Sequence, residues 1–158
     1  MGIEIERKFL VAGDGWRAQA GSATRFSQGY LSRDPARTVR VRVAGQQGFL
    51  TIKGATSGAA RAEFEYAIPL ADAQQLLALS DGPVVDKIRH LCVVDGMTWE
   101  VDEFLGANAG LVVAEIELQS EDQPFTRPAW LGAEVTGDAR YVNANLAVHP
   151  YTSWQCSA

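Results

Sequence analysis

Charged residues recur along this sequence in pairs two positions apart. Acids stand at Glu4 and Glu6, Glu63 and Glu65, Glu100 and Asp102, and Glu115 and Glu117. Bases stand at Arg40 and Arg42 and at Lys87 and Arg89, and Lys8, Lys53 and Arg61 extend the same pattern. An acid pair on one face of a strand can hold a hard cation such as Mg²⁺ through oxygen. A basic pair can clamp phosphate oxygens, Arg as a fork of donors and Lys as a point charge. Both kinds in one chain point to metal-assisted phosphoryl chemistry. Taken singly, each pair has a plainer account, because acids and Arg on neighbouring strands also satisfy one another or water.

Other chemistries find little support. There is no Walker A loop and no GxGxxG, and neither His90 nor His149 has a zinc-like spacing. His90 falls on the apolar side of its strand and reads as structural. No Ser-His-Asp or Cys-His set can be nominated. A net charge of −5 argues against a general nucleic-acid binder. The 158 residues show no break in composition, so a single domain over 1–158 is expected, long enough to bury a core without staples. No apolar run approaches membrane-spanning length, and a reducing cytoplasm is the expected location, with Cys92 and Cys156 as free thiols rather than a disulfide.

The elements that must position these residues are mostly strands. In Gly2–Val11, Glu4, Glu6 and Lys8 share one face, and Ile3, Ile5 and Phe9 the other, with Arg7 among them. Ala12 to Thr24 reads as a loop with a helical turn near Trp16. Strand character resumes at Phe26–Leu31, and Thr38–Val43 alternates strictly, valines against Arg40 and Arg42. Phe49–Lys53 returns, residues 54–60 form a flexible loop, and Arg61–Ile68 alternates again. A helix is expected over Ala71–Leu79. Val84–Val94 and Met97–Phe104 flank Asp95-Gly96, a strong hairpin signal. Leu111–Leu118 is a further strand, Trp130–Gly132 a turn, and Ala139–Val148 a final helix with Asp138 as its N-cap.

Where the charged faces point is the central question. For any one strand, a wet outer face over an apolar core is the simpler account. The alternative is a closed barrel with its charges inside. Each dehydrated ion costs several kcal/mol against a net stability of roughly 5–15 kcal/mol, so such an interior would have to hold water, metal ions and a highly charged ligand. Its outward valines and leucines would also need cover, and only two convincing helices are available.

The order of the motifs resembles the CYTH, or triphosphate tunnel metalloenzyme, superfamily. Glu4-x-Glu6-x-Lys8, Gln28-Gly29-Tyr30-Leu31, Arg40-x-Arg42, Lys53, Arg61-x-Glu63-x-Glu65, Lys87-x-Arg89, Glu100-x-Asp102 and Glu115-x-Glu117 look like its successive motifs. Glu134-Val135-Thr136 with Asp138-x-Arg140-Tyr141-x-Asn143 resembles its C-terminal signature. Length and spacing are most similar to the compact bacterial members that hydrolyse inorganic triphosphate. The resemblance implies a mainly β (α+β) fold: an eight-stranded antiparallel closed β-barrel forming a charged tunnel, with a few helices packed outside. It implies that Lys8, Arg40, Arg42, Lys53, Lys87, Arg89 and, less securely, Arg61 bind triphosphate. Glu4, Glu6, Glu63, Glu65, Asp102, Glu115 and Glu117 would hold Mg²⁺ or Mn²⁺ and position water. Lys8, Tyr30 and Glu63 would act in catalysis, in which water attacks a terminal phosphorus and releases phosphate and pyrophosphate.

The partner implied is thus a small anionic substrate, with neither nucleic acid nor membrane. The oligomeric state is left open, a homodimer being one option. Nucleoside or thiamine triphosphatases and class IV adenylyl cyclases share the superfamily, and a non-catalytic polyphosphate-binding module is the alternative of another class. Related members often carry extra lysines near Tyr141, where this chain has Ala139, Val142 and Ala144. That departure bears on substrate preference rather than on fold.

Overall fold

The computed structural model describes residues 2–156, and side chains only as far as Trp154. A pairing of Cys92 with Cys156 therefore lies outside the description; the Cys92 side chain itself is buried and free. Nine strands form: β1 (Gly2–Val11), β2 (Ala20–Ser32), β3 (Arg37–Ala44), β4 (Gln47–Gly54), β5 (Ala60–Ile68), β6 (Val85–Val94), β7 (Met97–Phe104), β8 (Val112–Glu117) and β9 (Leu131–Glu134). Two helices join them, α1 (Leu70–Leu77) and α2 (Asn143–Leu146).

All the strand pairings are antiparallel, in the order β5-β4-β3-β2-β6-β7-β8-β1-β9. A further pairing of β1 with β5 closes the first eight into the expected barrel. One edge of β1 is taken by β8 along Glu6–Leu10. The other is shared, by β5 opposite Gly2–Ile5 and by the short β9 opposite Phe9 and Val11. Closure leaves the eight-strand wall no free edge.

Three local expectations change. β2 begins at Ala20, inside the stretch read as a loop, and Ser22, Ala23 and Thr24 pair with Leu91, His90 and Arg89 of β6. Small residues there give no alternating pattern, so it is the partner strand that makes them a strand. Leu131–Glu134 is likewise a strand rather than a turn, recruited by the edge of β1. The final helix is broken: Ala139–Tyr141 forms a 3-10 turn, Val142 is extended at φ −70 and ψ 127, and α2 follows. Asp138 caps the turn, accepting from the Arg140 amide at 3.0 Å, and the Asn145 side chain donates to the Ala139 carbonyl at 2.8 Å. These local bonds compete with a continuous helix. The Asp95-Gly96 turn forms as expected, with φ of 52 and 78, the left-handed pair that suits the twist of a hairpin.

Loops do most of the covering that helices were expected to provide. On the outer face of β1, β6, β7 and β8, Phe9, Cys92, Trp99, Val101, Ala114 and Ile116 are buried beneath Trp16 and Trp130, with Phe125 against them. His90 belongs to this outer layer, edge-on to Trp16 at 4.7 Å and 3.2 Å from Glu103. The outer faces of β3 and β4 are covered by α1. That contact needs Gly48, where a Cβ would stand 2.6 Å from the Cβ of Ala73. On β1, β4 and β5, Ile3, Ile52 and Tyr66 remain exposed. α2 lies elsewhere, at one end of the barrel, where Ala144 and Leu146 pack with the inward-facing Val85, Phe104 and Val113.

Candidate active site

The charged rows point inward. They line a cavity of about 300 Å³ that takes in Glu4, Glu6, Lys8, Tyr30, Arg40, Arg42, Lys53, Arg61, Glu63, Glu65, Lys87, Arg89, Glu115 and Glu117. Barrel closure sorts them. β5, β1 and β8 are consecutive in the ring and carry Glu63 and Glu65, Glu4 and Glu6, and Glu115 and Glu117. β3, β2 and β6 are consecutive on the opposite side and carry Arg40 and Arg42, Tyr30, and Lys87 and Arg89. An acidic wall centred on β1 thus faces a basic wall centred on β2.

Within the acidic wall, carboxyls are forced together. Lys8 and Glu6 of β1 stand opposite Glu115 and Glu117 of β8. Glu6 is bonded through its carboxyl to that of Glu115. Burial, then the Glu115 charge and that shared bond, hold Glu6 well above the ordinary carboxylate range. Glu115 moves the other way: against the cost of burial, Lys8, the bond from Glu6 and Arg89 hold it well below. Of the two, Glu6 therefore takes up a proton the more readily and Glu115 keeps its charge the more firmly. Glu63 and Glu117 are also raised, each by burial first and the nearby Glu4 charge second. Lys53 offsets part of this repulsion, lying 3.0 Å from Glu4 and 3.5 Å from Glu63.

The basic wall is held by partners behind it. Arg42 Nε donates to Gln28 Oε1 at 3.0 Å, and Gln28 Nε2 to the Tyr30 hydroxyl at 3.3 Å. Arg40 donates to the Thr51 hydroxyl at 3.3 Å, which donates to Glu65 at 3.0 Å, yet its buried Nε has no partner. Burial lowers Arg42 to about 9, with Arg40 and Arg89 adding repulsion. Arg40 has one carboxylate at 3.5 Å, Glu65, and Arg42 bonds only the neutral Gln28, so Arg42 above all is short of negative charge, as a site awaiting an anion should be. Arg61 is already engaged, by the Gly54 carbonyl at 3.0 Å and the Thr38 hydroxyl at 3.3 Å. Lys8 Nζ reaches across to the Tyr141 carbonyl at 3.0 Å.

Asp102 is the one expected metal ligand not brought to the cavity wall. It is fully buried, with Lys87 at 2.6 Å and Arg89 on both oxygens at 2.8 Å. Arg89 and Lys87 keep it ionised despite burial. Lys87 fares worse: burial, with Arg89 and Arg42 repelling it, outweighs Asp102 and lowers it to about 7.

Several cavity residues carried no role in the sequence reading. Glu100 lines the wall 3.1 Å from Arg89. Thr136, Gly137, Val142, Asn143 and Ala144 also line the cavity, so the stretch without lysines forms an uncharged part of it. Asn143 and Thr136 belong to quoted motifs, which was the available signal. Nothing in strand parity pointed to them, because they follow β9 and reach the cavity only when the chain folds over the barrel end.

The donor set fits a divalent cation. It consists of hard carboxylate oxygens, and a cation would relieve the repulsion by which Glu115 and Glu4 raise Glu6. Among the described residues, no three acidic, His or Cys side chains already converge as a complete ligand cage. That suits an ion such as Mg²⁺, which is held by one or two carboxylates together with substrate phosphates. Among the described residues, no helix is long and apolar enough to cross a membrane.

Residues 2–151 match the CYTH domain. An inorganic triphosphatase of Acetivibrio thermocellus is 48% identical over 156 residues, covering 98% of this chain and 99% of that protein. An inorganic triphosphatase of Nitrosomonas europaea is 39% identical over 152 residues, covering 92% and 97%. The crystal structure of the inorganic triphosphatase NE1496 superposes with a TM-score of 0.65 at 36% identity, over 94% of this chain and 96% of that one. With the closed barrel and its two charged walls, these matches establish that the chain belongs to the CYTH domain family, which implies a divalent metal cofactor.

Proposed function

We propose that this protein hydrolyses inorganic triphosphate to pyrophosphate and phosphate inside its tunnel, using Mg²⁺ or Mn²⁺. The observation that carries this reading is the opposition of the walls: four bases, of which Arg40 has an unpartnered Nε and Arg42 bonds only a neutral acceptor, face paired acids across a cavity of about 300 Å³. Arg40, Arg42, Lys87 and Arg89 bind the phosphate chain, with Lys53 and Lys8 at its flanks and Arg61 in a supporting place. Glu6 and Glu115 are the first candidates to hold the cation, with Glu4, Glu63 and Glu117 beside them. Glu65 steadies Arg40 through Thr51, and Asp102 orients Lys87 and Arg89. A bound cation supplies charge neutralisation at the transferring group.

Water adds to a terminal phosphorus as the bridging P–O bond breaks, so one water is consumed and pyrophosphate leaves. Glu63 orients that water, with Lys8 and Tyr30 beside the reacting group. Positioning and electrostatics supply the acceleration, as is general for phosphoryl transfer.

One assay panel tests the reading. Phosphate release is measured from triphosphate, ATP, thiamine triphosphate and pyrophosphate with Mg²⁺, Mn²⁺ or EDTA, and cyclic AMP formation is followed alongside. Fastest release from triphosphate, abolished by EDTA, is expected. Faster turnover of ATP or thiamine triphosphate, or cyclic AMP production, would reassign the substrate. Tight triphosphate binding without turnover under any metal would make the protein a binding module.

A pH dependence follows from the raised Glu6. Glu6 must lose its proton before the pair accepts a cation, so cation and proton compete. Because Glu6 lies above the ordinary range, affinity should climb with pH beyond that range and level off once Glu6 is ionised. By calorimetry in pH-matched buffers the rise should be up to about tenfold per pH unit. A flat profile would remove this pair as the seat of the cation.

A further inference from the structure

Phe26 stands in the inward row of β2, two residues before Gln28 and four before Tyr30, yet it belongs to neither apolar cluster of the protein. Its ring is buried among cations instead. The Arg42 guanidinium lies 4.5 Å from the ring centroid and that of Arg89 4.9 Å, while the Lys87 ammonium is shared, 5.9 Å from Phe26 and 5.5 Å from Phe104.

We infer that Phe26 is a positioning residue for the proposed triphosphatase reaction: its ring draws Arg42, Arg89 and Lys87 into one anion-binding group. These three cations repel one another, and two come from β6 while the third comes from β3, on either side of β2. Like charges so placed would swing apart without an attractive centre. Asp102 supplies one on the β6 side, but it bonds only Lys87 and Arg89. On the β3 side, Arg42 has a single neutral acceptor in Gln28. The face of an aromatic ring attracts cations within about 6 Å, most strongly where water is excluded. Unlike a carboxylate, it does so without placing a negative charge that would repel the phosphate. Phe26 thus gathers the bases without adding a negative charge to those of Asp102, Glu100 and Glu115 already beside Arg89.

The inference rests on the proposed activity, so its test separates the two. Phe26→Leu keeps an apolar side chain and removes the ring; Phe26→Tyr restores it. Steady-state kinetics on triphosphate should show KM for Phe26→Leu rising about tenfold with kcat little changed, and Phe26→Tyr close to wild type. Wild-type protein without turnover would overturn the proposed activity. Wild-type turnover with an unchanged KM in Phe26→Leu would overturn the role of Phe26 alone. A second readout needs neither substrate nor a Phe26 variant. In ¹H–¹⁵N spectra of the metal-free wild-type protein, the Arg42 Nε–H, assigned by the loss of its peak in Arg42→Lys, should be shifted upfield by the ring current. A shift typical of exposed arginines would overturn the inference.

Discussion

Glu115→Gln is expected to lower triphosphate turnover by at least about 10²-fold while leaving the barrel folded. Glu115 is buried, stands opposite Lys8 across the β1–β8 register, raises the neighbouring Glu6 by its charge and lies 3.5 Å from Arg89. Gln keeps its volume, so the loss falls on charge rather than on packing. Without that charge, two things fail together: the cation loses a donor, and Glu6 and Lys8 lose the neighbour they face across the β1–β8 wall. Dependence on added metal should weaken along with kcat, while circular dichroism and the melting profile stay close to wild type. Glu117→Gln should move activity in the same direction. Near-wild-type turnover with intact metal dependence in Glu115→Gln would remove Glu115 from the cation site.

Asp102→Asn should instead act on stability. Asp102 is the sole carboxylate bonded to Lys87 and one of three near Arg89, and the Lys87 and Asp102 side chains are both fully buried. Removing one member of a buried pair leaves the other charged and unsolvated, at a cost of about 3–5 kcal/mol. For a domain of this size that lowers the melting temperature by roughly 6–20 °C. Lys87, at about 7, limits the loss by shedding its proton. The sign follows: Asp102 raises Lys87, so without it Lys87 falls below 7. The deficit is full at acid pH, where Lys87 is still charged in the variant, shrinks as pH rises toward 7, and levels off above it. Thermal melts across that range measure this directly. Triphosphate should stabilise the variant more than the wild type, because it returns negative charge to the same bases. A deficit that did not vary with pH would mean that Lys87 is not the group left unpaired.

Much of this site can be read from individual strands. The alternation of Val39, Val41 and Val43 with Arg40 and Arg42 puts both bases on one face wherever the strand lies. The same holds for Glu4, Glu6 and Lys8. What strand parity does not contain is the third dimension. Asp102 has the same parity as Glu100, yet Glu100 lines the cavity and Asp102 lies under it, because Lys87 and Arg89 close over the latter. Phe26 has the parity of Gln28 and Tyr30, but nothing in a run of strand residues tells an aromatic that packs a core from one that gathers cations. Asn143 and Thr136 reach the cavity through the C-terminal segment, whose breaks at Val142 are fixed by caps and side-chain bonds rather than by periodicity.

The sequence by itself determined which residues share a face, because successive side chains of a pleated strand alternate and no distant contact can alter that. It also carried the ordered motifs that resemble the family. Tertiary structure decided which face is inside and which charges oppose which. Along the chain acids and bases alternate, β1 acidic, β3 basic, β5 acidic, β6 basic, β8 acidic. Only the pairing of β1 with β5, between residues some 60 positions apart, brings β5, β1 and β8 together as one wall and sets β3, β2 and β6 against it. Charges at that range are felt through space and not along the chain, so a single closing register turns scattered pairs into a cation wall facing an anion wall.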